Sequence, residues 1–274
     1  MRISSRLDQD ASYKAIRKLV DDNHLHTICT SGNCPNIGEC WRAGTATFMI
    51  LGNICTRACR FCGVPTGKPL PPDESEPQKI ADSVKKMGVR HAVITSVDRD
   101  DLPDKGAGFW ARTIRAVKET NPGVTMETLI PDLDGRPELI SLIIEAAPEV
   151  ISHNLETVRR LTPPIRTRAR YDTSLMVIKQ IAGSGLVAKS GIMLGLGETR
   201  DEVLETLDDL ILAGCEVVTI GQYLQPTRDH MPVSEWVTPE QFTFYEEAGL
   251  SKGFRHVESS PLVRSSYHAE KHVR

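Results

Sequence analysis

Several things are missing from this sequence, and each absence narrows the reading. No apolar run approaches the roughly 18 residues needed to cross a bilayer, and the opening stretch MRISSRLDQDASYKAIRKLV lacks the apolar centre of a secretory signal. Acidic residues in that stretch, Asp8 and Asp10, speak against an organelle transit peptide. There is no excess of positive charge: the 274 residues carry a formal net charge of −3, so no overall cationic field gathers nucleic acid, and no nucleic-acid-binding motif or basic stripe is present. Low-complexity tracts and long linkers are also lacking. The expectation is a cytoplasmic protein with no nucleic-acid or membrane partner. What is present, 40% hydrophobic and 25% charged residues, fits a chain with a sizeable core.

Strand-like and helix-like segments alternate from residue 45 onward. The segments at 45–51, 89–97, 123–130, 149–156, 186–196, 216–224 and 255–263 read as strands. Those at 76–88, 108–120, 136–147, 173–185, 200–215 and 238–254 read as helices, with Gly88 as a C-cap, Thr238 as an N-cap and Pro239 in the first turn. Six or seven βα units in a row predict a parallel sheet covered by helices. No dinucleotide-binding glycine fingerprint follows the first strand, so the spacing favours a full or partial barrel over a doubly wound sheet. The expected fold is α/β, a partial (β/α)6-type TIM barrel over 45–258. An N-terminal extension over 1–44 precedes it, and a C-terminal tail over 259–274 lies across the active site. Polar residues recur where strands are expected to end: Ser96, Asp98, Glu127, His153, Asn154, Glu198, Gln222 and Tyr223. Barrel chemistry sits at those ends.

Six of the seven cysteines lie between Cys29 and Cys62, and Cys215 stands alone as a small buried residue. Without an export signal, clustered cysteines read as metal ligands rather than disulfides. Cys55, Cys59 and Cys62 have C-x3-C-x2-C spacing just after the first barrel strand. Three thiolates on so short a loop can hold three corners of a [4Fe–4S] cubane and leave one iron open. Zinc is the alternative, but its sites usually draw on two C-x2-C-like pairs, and only Cys59 and Cys62 form one here. Cys29, Cys34 and Cys40 have C-x4-C-x5-C spacing, a weaker metal pattern on a loop that Pro35 and Gly38 help to turn.

The first of these spacings, placed after the first strand, is that of the radical S-adenosylmethionine (SAM) enzymes. HTICTSGNCPNIGECW followed by TATFMILGNICTRACRFC then resembles the lipoyl synthase family. The likeness continues through TSVDRDDLPDKGA, IPDLDG, SHNLETV, KSGIMLGLGET, TIGQYLQPTRDHMPV and PLVRSSYHAE, covering nearly everything from Tyr13 onward. Two departures stand out. Ser260 occupies a position before Pro261 where the family commonly has glycine, and the segment before Tyr13 is shortened or diverged.

The resemblance implies two [4Fe–4S] clusters. SAM completes the one on Cys55, Cys59 and Cys62. Ser266, the residue before Tyr267 in RSSY, completes the one on Cys29, Cys34 and Cys40, an auxiliary cluster consumed as sulfur donor. The implied reaction inserts two sulfurs at C6 and C8 of an octanoyl chain on a lysine of a lipoyl carrier domain. The implied carriers are the E2 subunits of 2-oxoacid dehydrogenases and the glycine cleavage H protein. An electron donor such as flavodoxin or ferredoxin and an iron–sulfur carrier that rebuilds the spent cluster complete the set of partners. No side-chain base is tuned to deprotonate unactivated carbon, so no acid–base pair is assigned.

Asn154, Glu156, Gly195 and Glu198 are expected at SAM. For Gly195 and Glu198, within GIMLGLGE, a tight βα turn is the alternative; for Glu156 it is a cap on the following segment. The five arginines of 159–170 form either a docking surface for an acidic carrier or a solvated loop. Another sulfur-inserting radical SAM enzyme, of the biotin synthase kind, would lack the 29/34/40 triad and RSSY. An iron–sulfur sensor or zinc-bound regulator would carry a nucleic-acid-binding feature.

Overall fold

A computed structural model describes residues 11–42 and 45–274. The expected boundary at residue 44 and the diverged segment over 1–10 lie outside the described residues. Helix α1 (Ala11–Asp22) leads through strand β1 (His26–Thr27) to two short helices, α2 (Ile28–Ser31) and α3 (Ile37–Arg42). Alternation then begins with β2 (Thr47–Ile50), α4 (Glu76–Met87), β3 (His91–Ser96), α5 (Ala107–Thr120), β4 (Thr125–Leu129), α6 (Pro137–Glu145) and β5 (Val150–Ser152). It continues through the short α7 (Thr162–Ile165), α8 (Tyr171–Gly183), β6 (Val187–Leu194), α9 (Arg200–Leu212), β7 (Val217–Gln222), α10 (Pro239–Lys252) and β8 (His256–Ser260).

The strands form one sheet in sequence order. β1 pairs antiparallel with β2, and β2 to β8 run parallel. The six crossover helices α4, α5, α6, α8, α9 and α10 match the (β/α)6 expectation, with β8 added as a last strand. The barrel is open: no pairing between β8 and the first strands occurs among the described residues.

Local chemistry explains the element ends. Gly88 stops α4 at φ 62°, a left-handed conformation that glycine adopts without a Cβ penalty. Thr199 and Glu202 form a reciprocal capping box that opens α9, and Thr238 accepts from Gln241 N to open α10 ahead of Pro239. Parallel strands buried on both faces read as apolar runs, and all six residues of β7 are buried. Ile94, Trp110, Ile114, Met126, Ile178 and Leu207 join sheet and helices in one core.

Side chains two residues apart along a strand share a face, which layers the interior. Leu129 and Gly191 line a cavity toward the strands' C-terminal ends. Two residues earlier on the same strands, Glu127 and Lys189 form the layer beneath, both fully buried and paired at 2.7 Å. Glu127 is therefore not the strand-end group expected of it, because β4 runs on to Leu129. After β8 the tail turns back. Its end reaches the N-terminal ends of the strands, where Val273 packs on Val150, Val187 and Val217, and Arg274 pairs with Glu216 at 2.6 Å. Ser260 needs no glycine conformation: it is absent from the non-glycine residues at positive φ, and its carbonyl accepts from Val263 N across the turn.

Candidate metal centres

The loop after β2 is fastened from several sides. Cys55 N donates to Pro65 O at 2.9 Å, and Thr56 N donates to Asp98 O at 3.1 Å. Arg57, between the first two cysteines of the triad, is buried and meets four carboxylates: Asp98 at 3.2 Å, Asp100 at 2.8 Å, Asp132 at 2.8 Å and Asp134 at 3.3 Å. One guanidinium thus ties the cysteine loop to the loops after β3 and β4. Burial pushes the Asp98 carboxyl up to about 6 although Arg57 opposes the shift.

Cys55, Cys59 and Cys62 line a cavity of about 320 Å³ together with Asn154, Glu156, Arg166 and Gly191. Its walls hold unmet bonding capacity. Asn154 Oδ1 and Arg166 Nε are buried without partners, and buried polar atoms ordinarily have them. A Cβ on Gly191 would lie 2.6 Å from Thr219 Oγ1 and 3.0 Å from Asn154 Oδ1, so only glycine leaves that wall open. Glu156 sits at φ 69°, a conformation unfavourable for a non-glycine residue by about 1 kcal/mol. Its backbone is held there by hydrogen bonds to Gly191 O and from Met193 N.

A second cavity, of about 430 Å³, is lined by Cys29, Cys34, Cys40, Ser266 and Tyr267. The N-terminal extension builds one wall. α1 and α3 pack together through Ile16, Val20 and Trp41, with the Tyr13 and Trp41 rings 5.0 Å apart. Asn36, between Cys34 and Cys40, donates to Leu262 O at 2.7 Å and ties that wall to the tail. Trp41 Nε1 is buried and lies close enough to Cys29 for its N–H to favour the thiolate. Arg264 lines both cavities.

All six clustered cysteines are free thiols. Burial pushes Cys40 and Cys55 up to about 11 and Cys59 up to about 12, and it raises Cys29, Cys34 and Cys62 as well. Metal loading must therefore displace protons. The spread of the sulfurs bears on which metal fits. Tetrahedral zinc with sulfur at about 2.3 Å needs its donor atoms within about 4 Å of one another. Among the described residues the group whose donor atoms gather within 4.8 Å is His256, Glu258 and His272, not either triad. Both triads suit a multinuclear cluster. The first has three thiols beside unpartnered polar groups, and the second has three thiols and a hydroxyl.

The other expected site residues divide. Asn154 and Glu156 line the first cavity; Gly195 and Glu198 do not. Glu198 accepts from Gly195 N and Leu196 N, and a Cβ on Gly195 would lie 2.4 Å from Glu235 O. These two build the tight βα turn. Gln222 and Tyr223 brace the following loop, through Gln222 Nε2 to Glu235 O and Tyr223 Oη to Met231 O. The arginines of 159–170 form no single free surface. Arg166 is buried and donates to Asn154 O and Leu155 O, while Arg159, Arg160 and Arg168 pair with Asp172, Glu202 and Asp134. Cys215 is buried, its thiol donating to Val217 O. Arg57, Asn36 and Lys189 were not singled out from sequence, and Arg166 was read only as part of a docking surface or solvated loop, not as the buried donor to Asn154 O and Leu155 O that it is. Only Arg57 carried a usable signal there, as a cation inside the cysteine loop with an acid-rich DRDD downstream.

The sequence profile of the radical SAM superfamily matches residues 49–210. A lipoyl synthase of Parabacteroides distasonis is 60% identical over 98% of this chain and 95% of its own length. Lipoyl synthases of Bacteroides fragilis and Treponema denticola are 62% and 67% identical over 96% and 91% of the chain, and 91% and 86% of theirs. The chain belongs to the lipoyl synthase family. In fold the chain resembles solved structures at low identity. SuiB of Streptococcus suis with its precursor peptide has TM-score 0.62 at 11% identity, covering 77% of this chain and 48% of that one. Methylornithine synthase has TM-score 0.58 at 13% identity, covering 97% and 81%. As a lipoyl synthase family member the chain is a radical SAM enzyme, which makes the two cysteine-lined cavities the place to seek its chemistry.

Proposed function

We propose that this chain inserts two sulfur atoms, at C6 and C8, into an octanoyl group carried on a lysine of a lipoyl carrier domain. The observation that carries the proposal is the pairing of two three-cysteine cavities with Arg264 between them and Ser266 in the second. In this reading the extension, through residues 11–42, and the 259–274 tail frame the sulfur donor, and 45–258 forms the radical-generating barrel. When bound, the two [4Fe–4S] clusters and SAM supply an electron, a 5′-deoxyadenosyl radical and the inserted sulfur.

The residues do the holding. Cys55, Cys59 and Cys62 would hold one cluster, on a loop fixed by Arg57. Asn154 Oδ1 and Arg166 Nε, each lacking a partner, offer one acceptor and one donor to the amino-acid part of SAM. Gly191 gives it a wall without a Cβ, and half-buried Glu156 offers a carboxylate to a ribose hydroxyl. Cys29, Cys34, Cys40 and Ser266 would hold the second cluster, the source of the inserted sulfur.

No helix among the described residues is long and apolar enough to cross a membrane, and the clusters call for a reducing compartment, here the cytoplasm. The E2 and H-protein carriers, a flavodoxin- or ferredoxin-like reductant and a cluster-rebuilding carrier belong to the same reading. The test is to reconstitute the chain anaerobically, add SAM, reductant and octanoylated carrier, and weigh the carrier. Exchange of two hydrogens for two sulfurs supports the proposal; SAM cleavage with an unaltered carrier contradicts it.

A further inference from the structure

Beneath the first cavity lies a buried ion pair that none of the chemistry above uses. Lys189 and Glu127 are both fully buried, and Lys189 Nζ donates to Glu127 Oε1 at 2.7 Å and Oε2 at 2.8 Å. Burying such a pair is expensive, and well-packed apolar side chains often fill the same space as favourably. What apolar residues would not supply is a donor for the tail. Lys189 Nζ reaches Ser265 O at 2.5 Å and lies 3.0 Å from His272 Nδ1, so one ammonium touches both ends of the segment 265–272.

We propose that Lys189, held by Glu127, is the positioning residue that aims Ser266 into the second cavity by gripping its neighbour Ser265. The geometry is a turn: Tyr267 N donates to Arg264 O at 2.9 Å, with Ser265 and Ser266 at its corner. Ser265 is fixed twice, its carbonyl by Lys189 and its hydroxyl by Asn154 Nδ2 at 2.7 Å. With Ser265 committed to the first cavity, the turn sends Ser266 to the second. Asn36, through Leu262 O, fixes the approach to the turn, and His272 at Lys189 fixes its exit.

The inference rests on Ser266 completing the second cluster, but the tether itself is measurable without any cluster. Lys189→Met alone leaves Glu127 buried without its partner, so the decisive variant is the double change Glu127→Leu with Lys189→Met, which removes both charges together. If it fails to fold, Glu127→Gln with Lys189→Gln takes its place, an uncharged pair whose side chain at 189 is too short to reach Ser265. In the cluster-free folded variant, amide exchange over 263–272 is expected to accelerate about tenfold or more while the barrel strands keep wild-type protection. In the reconstituted variant, chelator-driven loss of the second cluster's iron accelerates, and SAM cleavage to 5′-deoxyadenosine persists. Lys189→Arg, which retains a cation with several donors, restores much of the tail's protection. Wild-type exchange over 263–272 and wild-type iron loss in a folded double variant would overturn the proposal. A wild-type chain that assembles no second cluster would instead overturn the proposed function, leaving the exchange result to decide the tether.

Discussion

Ser265 and Ser266 are neighbours in sequence and face different cavities. Ser265 Oγ accepts from Asn154 Nδ2 at 2.7 Å beside the first cysteine triad, while Ser266 lines the cavity of the second. Ser265→Ala and Ser266→Ala should therefore differ in kind. Ser266→Ala is expected to keep SAM cleavage and lower carrier sulfuration by about 10- to 100-fold, the scale of losing an interaction at a metal site. Ser265→Ala is expected to keep the second cluster and weaken SAM binding by less than about tenfold. Parallel assays of 5′-deoxyadenosine and carrier mass separate the two.

Ser266→Cys tests why an oxygen stands there. Thiolate is the softer match to iron, so a hydroxyl marks the iron that leaves first when the cluster is dismantled. The cysteine variant is expected to hold its full iron content, about eight atoms for two cubanes, and to transfer sulfur more slowly. Full-rate transfer from an intact cluster would remove the argument.

Arg57 meets four carboxylates from inside the cysteine loop. Arg57→Met leaves those charges uncompensated and is expected to destabilise the fold by about 3–5 kcal/mol, read from the urea midpoint. Any folded fraction should lose the first cluster preferentially, with iron falling toward about four atoms per chain. An unchanged midpoint and iron content would show that the loop does not depend on this clamp.

How much of this was legible beforehand depended on the kind of signal. The strands and helices carried their own periodicity and caps, such as Gly88 and Thr238. The cysteine triads carried spacing, and the tail serine came only with the family resemblance. Gly195 and Glu198 looked like a ligand platform because a glycine-rich strand end has the same appearance whether it faces a ligand or packs on Glu235. Lys189 and Glu127 lie 62 residues apart on non-adjacent strands, and Arg166 turns inward from an arginine-rich stretch that reads as surface. Such partners are set by tertiary packing, which leaves no local pattern.

His153, at the first cavity, should report on pH. Burial, with Arg166 nearby, pushes its pKa down to about 4 from an ordinary 6.5, and its ring nitrogens lie within hydrogen-bond reach of Ile130 O and Ser174 Oγ. The unfolded chain takes up this proton first as pH falls. The stability it contributes is full above about 6.5 and is lost on acidification through about 4, a change of up to about 3 kcal/mol. In the cluster-free chain, His153→Gln is expected to flatten the dependence of the melting temperature on pH across that window; an unaltered slope would assign it to other groups.

The most direct measurement is carrier mass after a single turnover, comparing the wild-type chain with one in which Cys29, Cys34 and Cys40 are alanine. The account predicts a doubly sulfurated carrier from the first. From the second it predicts an unsulfurated carrier, although 5′-deoxyadenosine is still formed. Sulfur insertion by the alanine variant, or loss of SAM cleavage along with it in a folded chain, would contradict the division of labour between the two triads.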